Sequence, residues 1–436
     1  MVFFFLLMNN NKLFFSLRSK MKDCHIGFAA LMLAVSMFST PVVLAQESSE
    51  SDAEVMARRY SEACDSLLNN YYMRGFAHHH LRSSGSFSVE EFDALPDSVI
   101  EGRLRALRTV IPMTMNSEVR AHIRLYLRIM SRRLDLTLMQ KEKYFPLFQE
   151  ALDCYGVPDE VKYLTIVESA LNPEATSRVG AAGLWQFMYN TGRVYDLEVN
   201  SVMDERRDPV KASYAAAHYL SDLHRIFDDW TLAIAAYNCG PGNVNKAIAR
   251  SGGRRDFWEI YYNLPRETRG YIPSLIAVVY VMHYYDLHGL RPLNLEVPMR
   301  TDTVMVEKDV LMCYVAEATH VEQEALHSLN PQYRVDYIPA SAAKRSLCLP
   351  TTAVASFIKM QDSIYAWSAD SLQRRPMKVE PRGKGGSHAS SGGYYTVRKG
   401  DTLSSIARKH GISVATLKKR NGLKSDNIRV GQKLKI

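Results

Sequence analysis

The chain is poor in cysteine, and the cysteines it has do not form a recognisable pattern. Its 436 residues include six cysteines, and no two of them form a Cys-x-x-Cys pair. Cys24 lies in a segment that we expect to be removed, which leaves an odd number at long spacings. A disulfide framework is therefore not expected, and Cys313 with Cys348 is the one pair to consider.

The motifs of several catalytic classes are also missing. We find no P-loop, no His-Glu-x-x-His, no Ser-His-Asp arrangement and no metal-ligand spacing. The run His78-His79-His80 lacks a further histidine or acidic cluster that would complete a metal site, so exposed loop histidines are the better interpretation. We expect chemistry without a metal ion or a cofactor.

The first 45 residues lack an apolar run long enough for a membrane span, and they indicate export. Met21-Lys22 opens a short charged stretch, residues 26–38 are apolar, and Val43-Leu44-Ala45 follows. This order is typical of a secretory signal peptide with a small-residue cleavage site. We predict a signal peptide over residues 1–45, with Met21 as the suspected start, while an extended signal or anchor stays open.

Positive charge is concentrated near the C-terminus. Residues 394–436 hold eleven Lys or Arg against Asp401 and Asp426, which leaves a net charge of +9, whereas the whole chain carries +8. A basic module can bind nucleic acid. In an exported protein we expect instead an anionic envelope polymer or a glycan, and no nucleic acid.

One carboxylate occupies an apolar position in residues 159–171, a segment whose pattern predicts a buried helix. Glu168 shares a helical stripe with Leu164 and Leu171, at spacings of 4 and 3. Burial favours the neutral form of a carboxyl group and raises its pKa. Such a group can protonate the leaving oxygen of a glycosidic bond. A buried Glu paired with an Arg is an equally good interpretation of this segment alone.

Helical periodicity dominates the first two thirds of the chain. Residues 46–144 predict a helical N-terminal region with a break at Ile111-Pro112, and residues 145–290 predict a compact helical domain. Within that domain the apolar spacing predicts helices over residues 212–227, 230–237 and 267–288.

The last third of the chain has a mixed pattern. Residues 301–349 and 394–436 each predict a strand, two helices and a strand, which indicates an imperfect internal repeat. Residues 371–393 between them are rich in Gly, Ser, Arg and Lys and predict a flexible linker.

Several motifs follow Glu168-Ser169 at separated positions. They are Ser177, Gly180-Ala181-Ala182-Gly183-Leu184-Trp185-Gln186-Phe187-Met188, Ala236-Tyr237-Asn238-Cys239-Gly240 and Glu267-Thr268-Arg269-Gly270-Tyr271-Ile272-Pro273. In this order they resemble the catalytic domain of the soluble lytic transglycosylase family, and residues 394–436 resemble a LysM domain. The resemblance implies a mainly α protein: a lysozyme-like helical catalytic domain with small β-α-α-β LysM modules on its C-terminal side.

The same resemblance implies cleavage of peptidoglycan glycan strands between N-acetylmuramic acid and N-acetylglucosamine. Glu168 would protonate the glycosidic oxygen and then deprotonate the muramyl 6-hydroxyl, which attacks its own anomeric carbon and leaves a 1,6-anhydro end. Ordinary glycosidases use two carboxylates, and the sequence near Glu168 supplies no obvious second one. The substrate-binding candidates carried over from the family are Ser177, Gln186, Met188, Tyr237, Asn238, Glu267 and Tyr271.

Each candidate also has a plain structural interpretation. Ser177 would then be a solvated loop hydroxyl, Met188 a core residue and Asn238 a helix cap. Glu267 would pair with a neighbouring arginine at the surface. Trp185 either stacks on a sugar or packs inside, with nothing in the sequence to decide between the two.

In LysM-like modules two loops hold N-acetylated sugars. The corresponding glycan-binding candidates are Gly400, Asp401, Thr402, Asn427 and Ile428. Asp401 and Thr402 also suit helix capping. Residues 301–349 have Glu307-Lys308-Asp309 where the Gly-Asp-Thr turn stands in the other module, so a structural brace is the alternative to sugar binding there.

Three functions stay open from the sequence: a lytic transglycosylase tethered to murein, a muramidase that uses water, and a non-catalytic peptidoglycan-binding scaffold. The first agrees best with the motifs. The expected location is the periplasm, in association with the cell wall, with peripheral attachment to the envelope left open.

Overall fold

The computed structural model describes residues 87–292 and 300–380. In the C-terminal module it describes residues 394–397, 402, 403, 406, 407, 414–423, 425, 428, 429 and 431–435. The predicted signal peptide, the histidine run and most of the predicted linker lie outside these residues.

Residues 87–292 are helical. The α-helices are α1 (Val89–Asp93), α2 (Asp97–Ala106), α3 (Ser117–Cys154), α4 (Leu164–Ser169), α5 (Tyr189–Val194), α6 (Pro209–Phe227), α7 (Trp230–Cys239), α8 (Pro241–Arg250), α9 (Phe257–Ile260), α10 (Arg266–Arg269) and α11 (Tyr271–Tyr284). Short 3₁₀ turns cover Asp159–Tyr163, Glu205–Arg207, Tyr261–Asn263 and Tyr285–His288.

Helix α3 is the long support of this region. Asn116 caps its start by accepting the amide of Val119 at 2.9 Å. Its apolar face packs against α6 and α11, and residues from α1 through α11 share one core. The boundary predicted between residues 144 and 145 therefore falls inside a helix, because α3 continues through Pro146 to Cys154.

The segment that carries Glu168 is shorter than the predicted helix over residues 159–171. A 3₁₀ turn comes first, α4 follows, and Ala170 (φ 51°) and Leu171 (φ 60°) then turn the chain out of the helix. Their amides bond back to the carbonyls of Ile166 and Thr165. All of α4 is buried, so the prediction of a core segment is confirmed and its length is corrected.

The predicted helix over residues 267–288 is likewise divided, into α10, α11 and a 3₁₀ turn. Pro273 lacks an amide hydrogen and is tolerated only in the first turn of a helix, which places the start of α11 at Tyr271. Residues 271–282 are buried on every side, as is typical of a central core helix.

Residues 300–374 form a second unit with its own core. Strand β1 (Thr301–Val306) pairs antiparallel with β4 (Arg345–Pro350), and β2 (Val310–Leu311) pairs with β3 (Tyr337–Ile338). Helices α12 (Met312–Thr319) and α13 (Gln323–Leu329) lie between β2 and β3 in the chain. The strand, helix, helix, strand order is confirmed, with one short strand pair added.

Helix α14 (Thr351–Arg374) follows β4 and packs Phe357 and Ile364 into this second core. It includes residues 371–374, which the sequence assigns to the linker. The hydroxyl of Ser371 bonds that of Tyr314 at 2.5 Å, so this contact holds the end of the helix. The linker prediction is therefore wrong for its first four residues.

The C-terminal module is small. Strand β5 (Tyr394–Thr396) pairs antiparallel with β6 (Lys433–Lys435), and α15 (Val414–Asn421) lies between them in the chain. Its core contains Val397, Leu403, Ile406, Ala407, Leu417 and Leu434.

Two further expectations concern cysteines and membrane spans. Cys313 and Cys348 are both free, so the disulfide considered above is not formed; Cys348 lies within β4 opposite Thr303. In the described part of the chain, no helix combines the length and the apolar character that crossing a bilayer requires.

Three interacting side chains, those of Arg103, Tyr280 and His288, join α2 to the end of the helical region. Arg103 donates to the Tyr280 hydroxyl at 2.8 Å, and this hydroxyl is within hydrogen-bonding distance, 2.9 Å, of Nε2 of His288. Burial, followed by the charge of Arg103, lowers the pKa of His288 to about 4. The imidazole is therefore neutral in the folded protein at neutral pH.

The lowered pKa of His288 predicts that the folded state loses stability in acid. Between pH 6.5 and 4 the unfolded chain protonates His288 and the folded chain does not, so folding free energy is lost as pH falls through this range. His288→Gln should flatten that part of the pH dependence in urea unfolding. The exposed His320→Gln is the control, and equal slopes for wild type and His288→Gln would contradict the assignment.

Candidate active site

Glu168 and Tyr271 meet in the interior of the helical region. Glu168 is the last residue but one of the buried helix α4, and Tyr271 begins the buried helix α11. The Tyr271 hydroxyl donates to Oε1 of Glu168 at 2.5 Å, with Tyr271 fully buried and Glu168 5% exposed. Two motifs that lie about a hundred residues apart in the chain therefore form one direct contact.

The other buried carboxylates in residues 145–290 have the usual partners of such groups. Those groups accept hydrogen bonds from cations or backbone amides, which is how buried carboxylates are usually stabilised. Glu168 accepts from a neutral phenol. The others are Glu160, which accepts from the Ile111 amide, Asp204, which accepts from Arg206, Glu205, which pairs with Lys211, and Asp208, which accepts from the Val210 amide at the start of α6.

The segment over residues 175–188 folds beside α4. It contains the predicted substrate-binding residues Ser177, Gln186 and Met188 and is called the substrate turn after that prediction. Its backbone pairs Ala182 with Phe187 and Ser177 with Ala181. Gly180 and Gly183 have φ values of 87° and 86°, which glycine adopts without strain, and Gln186 is left-handed at 49°. The repeated glycines therefore serve the backbone path of this turn.

Two hydroxyl groups fasten the substrate turn to the neighbouring helices. Ser169, next to Glu168, donates to the carbonyl of Leu184 at 2.9 Å. Tyr237, at the end of α7, donates to the carbonyl of Trp185 at 2.7 Å. Burial, and then the negative charge of Glu168, raise the pKa of Tyr237 well above its usual range. Tyr237 therefore stays a donor.

The structure decides between the two interpretations of Trp185 and of Met188. Trp185 is fully buried, and its indole nitrogen donates to Ser213 at 2.9 Å. It therefore packs inside and is not exposed to a sugar. Met188 is 45% exposed, so it is not a core residue.

The remaining candidates lie around the same turn and helix ends. Ser177 is half-buried and accepts the Ala181 amide at 3.1 Å. The side-chain nitrogen of Gln186 donates to the carbonyl of Gly183 at 2.8 Å, so it braces the turn. Asn238 accepts from Thr268 at 2.9 Å, next to the exposed Glu267. Asn238 thus joins α7 to α10, and its side chain does more than end a helix.

The LysM candidates are described only in part. Thr402 is exposed, and Ile428 is half-buried against the small core of the module. Gly400, Asp401 and Asn427 lie outside the described residues.

Sequence reasoning missed a buried ion pair beneath the substrate turn. Asp204 and Arg206 are 2% exposed, and Arg206 donates to the carbonyls of Gly180 and Phe187. In the sequence they belong to the charged run over residues 204–208, which suggests a solvated surface. The isolated position of this run between two apolar segments is the one sequence signal that points to burial.

Two glycines of the turn provide a matched test of its packing. A Cβ at Gly183 would lie 1.7 Å from the carbonyl oxygen of Arg206, whereas a Cβ at Gly180 meets nothing within 4 Å. Both positions have the same backbone strain. Gly180→Ala should cost about 1–2 kcal/mol of folding free energy, and Gly183→Ala several kcal/mol more, measured by urea unfolding. Equal losses would show that the turn does not rest on Arg206.

The comparisons with known proteins place three families along the chain. The Transglycosylase SLT domain matches residues 146–260, and the LysM domain matches residues 395–436. The Lytic transglycosylase MltD, LysM-like domain matches residues 300–366. The catalytic match therefore contains Glu168, the substrate turn and α7.

Individual proteins with related sequences are also found. Membrane-bound lytic murein transglycosylase D of Escherichia coli (strain K12) is 32% identical over 325 residues, which are 74% of this chain and 69% of that protein. Soluble lytic murein transglycosylase of the same strain is 33% identical over 131 residues, 29% of this chain and 20% of that protein.

Among solved structures, the 70 kDa soluble lytic transglycosylase of Escherichia coli matches with a TM-score of 0.31 and 20% identity, covering 55% of this chain and 47% of that one. We draw nothing further from that superposition. The mainly α class and the transglycosylase motifs predicted from the sequence are confirmed by the families and the helical structure. The chain belongs to the lytic murein transglycosylase D family, enzymes that act on peptidoglycan and carry LysM modules.

Proposed function

We propose that Glu168 is the acid and the base of the transglycosylase reaction. The observation that carries the proposal is the bond from Tyr271 to Oε1 in a buried environment. Because Oε1 accepts this bond, the proposal assigns the transferred proton to Oε2. The phenol stabilises the ionised carboxylate by a hydrogen bond and adds no positive charge of its own, which suits a group that gives up a proton and takes one back in one cycle.

The two proton transfers balance without water. In the first, Oε2 gives its proton to the glycosidic oxygen as the bond from that oxygen to the muramyl anomeric carbon breaks. In the second, the ionised carboxylate takes the proton of the muramyl 6-hydroxyl as its oxygen bonds to the anomeric carbon. Glu168 ends protonated, and the product has a 1,6-anhydro end. The substrate's acetamido group shields the positive charge in between.

The substrate turn and the ends of α7 and α10 supply the sugar contacts in this proposal. Ser177 and Met188 are accessible on the turn, and Asn238 and Glu267 lie at the joint between the two helices. Gln186 holds the turn with its amide nitrogen and offers its oxygen to sugar hydroxyls. Tyr237 completes the set at the end of α7, whereas the fully buried Tyr271 acts through its bond to Glu168.

The C-terminal module acts as a tether in this proposal. Gly400, Asp401, Thr402, Asn427 and Ile428 hold N-acetylated sugars, and binding one glycan segment raises the local concentration of the next. We further propose export to the periplasm with peripheral association to the envelope, supported by the order of residues in the N-terminal segment.

Glu168→Gln tests the proposal directly. The amide has nearly the same shape as the carboxyl group but cannot transfer the proton, so muropeptide release from sacculi should fall about 10⁴-fold, while sedimentation with sacculi is retained. Glu101→Gln removes an exposed carboxylate paired with Arg105 and serves as the control. A Glu168→Gln enzyme that digests sacculi at the wild-type rate would end the assignment.

Tyr271→Phe isolates the role of the phenol. A hydrogen bond to a charged group contributes about 1.5–3 kcal/mol, so kcat should fall about 10- to 100-fold with KM within about twofold. Tyr280→Phe makes the same change on the same helix, where the hydroxyl bonds Arg103. It should lower thermal stability and leave kcat intact. Equal kcat values for the two variants would contradict the role given to Tyr271.

A further inference from the structure

The substrate turn depends on a single guanidinium group for much of its support. Nη1 of Arg206 donates to the carbonyl of Gly180 at 2.8 Å and to that of Phe187 at 3.0 Å. These two residues lie toward opposite ends of the glycine-containing part of the turn. The Phe187 carbonyl also accepts the Ala182 amide within the turn, and Arg206 adds a bond that ties this carbonyl to that of Gly180, where the backbone is irregular.

Asp204 fixes the orientation of that guanidinium. Nε and Nη2 of Arg206 donate to the two carboxylate oxygens of Asp204 at 2.8 and 2.7 Å. Burial alone would raise the pKa of Asp204, but the hydrogen bonds and charge of Arg206 outweigh it and lower the pKa. A bidentate pair of this kind sets the plane of both groups. The direction of Nη1 toward the turn is therefore determined by where Asp204 lies.

The LysM-like module, residues 300–366, bonds directly to the segment that carries Asp204. The Asp204 amide donates to the carbonyl of Gln332 at 2.8 Å, and Met203 forms a β-bridge with Tyr333. Met203 is 1% exposed and belongs to the hydrophobic core of the module. The strand-like segment that carries Asp204 is thus built into the module, although it precedes the module by about a hundred residues.

Ion pairs reinforce this joint on either side of Asp204. Arg345 of β4 bonds Glu198 at 2.9 Å and Glu205 at 3.4 Å, with its side chain only 10% exposed. Glu205 also pairs with Lys211 of α6. One module cation therefore contacts acidic residues on both sides of the Met203–Asp204 segment, and partial burial makes such contacts stronger than surface pairs because they are screened less.

We infer that Arg206 is a positioning residue for the transglycosylase reaction, through which the docked LysM-like module holds the substrate turn in its binding conformation. The inference rests on the proposed role of the turn in binding substrate. It gives the module a function at the catalytic site, in addition to any contact it makes with glycan.

Arg206→Lys tests the contact between the Arg206 side chain and the substrate turn. Lysine keeps the positive charge beside Asp204, but a single ammonium group cannot bond both oxygens of Asp204 and both carbonyls of the turn at once. KM for a glycan strand should rise about tenfold and kcat should change far less, because Glu168 and Tyr271 are unaltered. Hydrogen exchange at the amides of Ala182 and Phe187 should accelerate. Unchanged KM and unchanged exchange in the folded variant would overturn the inference.

Arg345→Ala tests the contribution of the module. Arg345 lies in β4 of the module, far from the turn in the sequence. The substitution should accelerate exchange in residues 180–188 and raise KM several-fold. Lys344→Ala is the matched control, since Lys344 is adjacent but pairs with Glu307 on the module surface. If exchange of the turn is the same in the two variants, the module does not act through Arg206. Hydrogen exchange of the turn does not depend on catalytic turnover. This result therefore tests the inference even if the proposed role of Glu168 is wrong.

Discussion

The contact from the Tyr271 hydroxyl to the Glu168 carboxylate is the interaction on which the rest of the site depends. It places a titratable group inside the protein with a neutral donor on one oxygen. The last turn of α4 and the first turn of α11 must meet for this to occur. The left-handed residues after Ser169 and the late start of α11 before Pro273 make that meeting possible.

The surrounding structure holds the substrate turn beside this pair. Ser169 and Tyr237 fix the substrate turn to the two helices on either side of the site, and Arg206 supports it from beneath. Most of these bonds end on backbone carbonyls. The substrate turn is therefore held mainly through its backbone atoms, and a side chain such as Met188 remains exposed.

Much of this was predictable from the sequence, because the motifs that carry the chemistry are local and distinctive. Glu168 in an apolar stripe, Tyr271 before Pro273 and the strand order of the LysM-like module all follow from spacing or family pattern. The Asp204–Arg206 pair was not predictable. Its burial results from packing between the turn and a module that lies far along the chain, and the charged run around it looks like a solvated surface.

The central claim is that one buried carboxyl group transfers both protons and that water takes no part. Digestion of purified sacculi in water enriched in ¹⁸O, followed by mass spectrometry of the released muropeptides, tests it most directly. The account predicts anhydro-muramyl ends without incorporated ¹⁸O. Reducing muramyl ends that carry ¹⁸O at the anomeric carbon would contradict it.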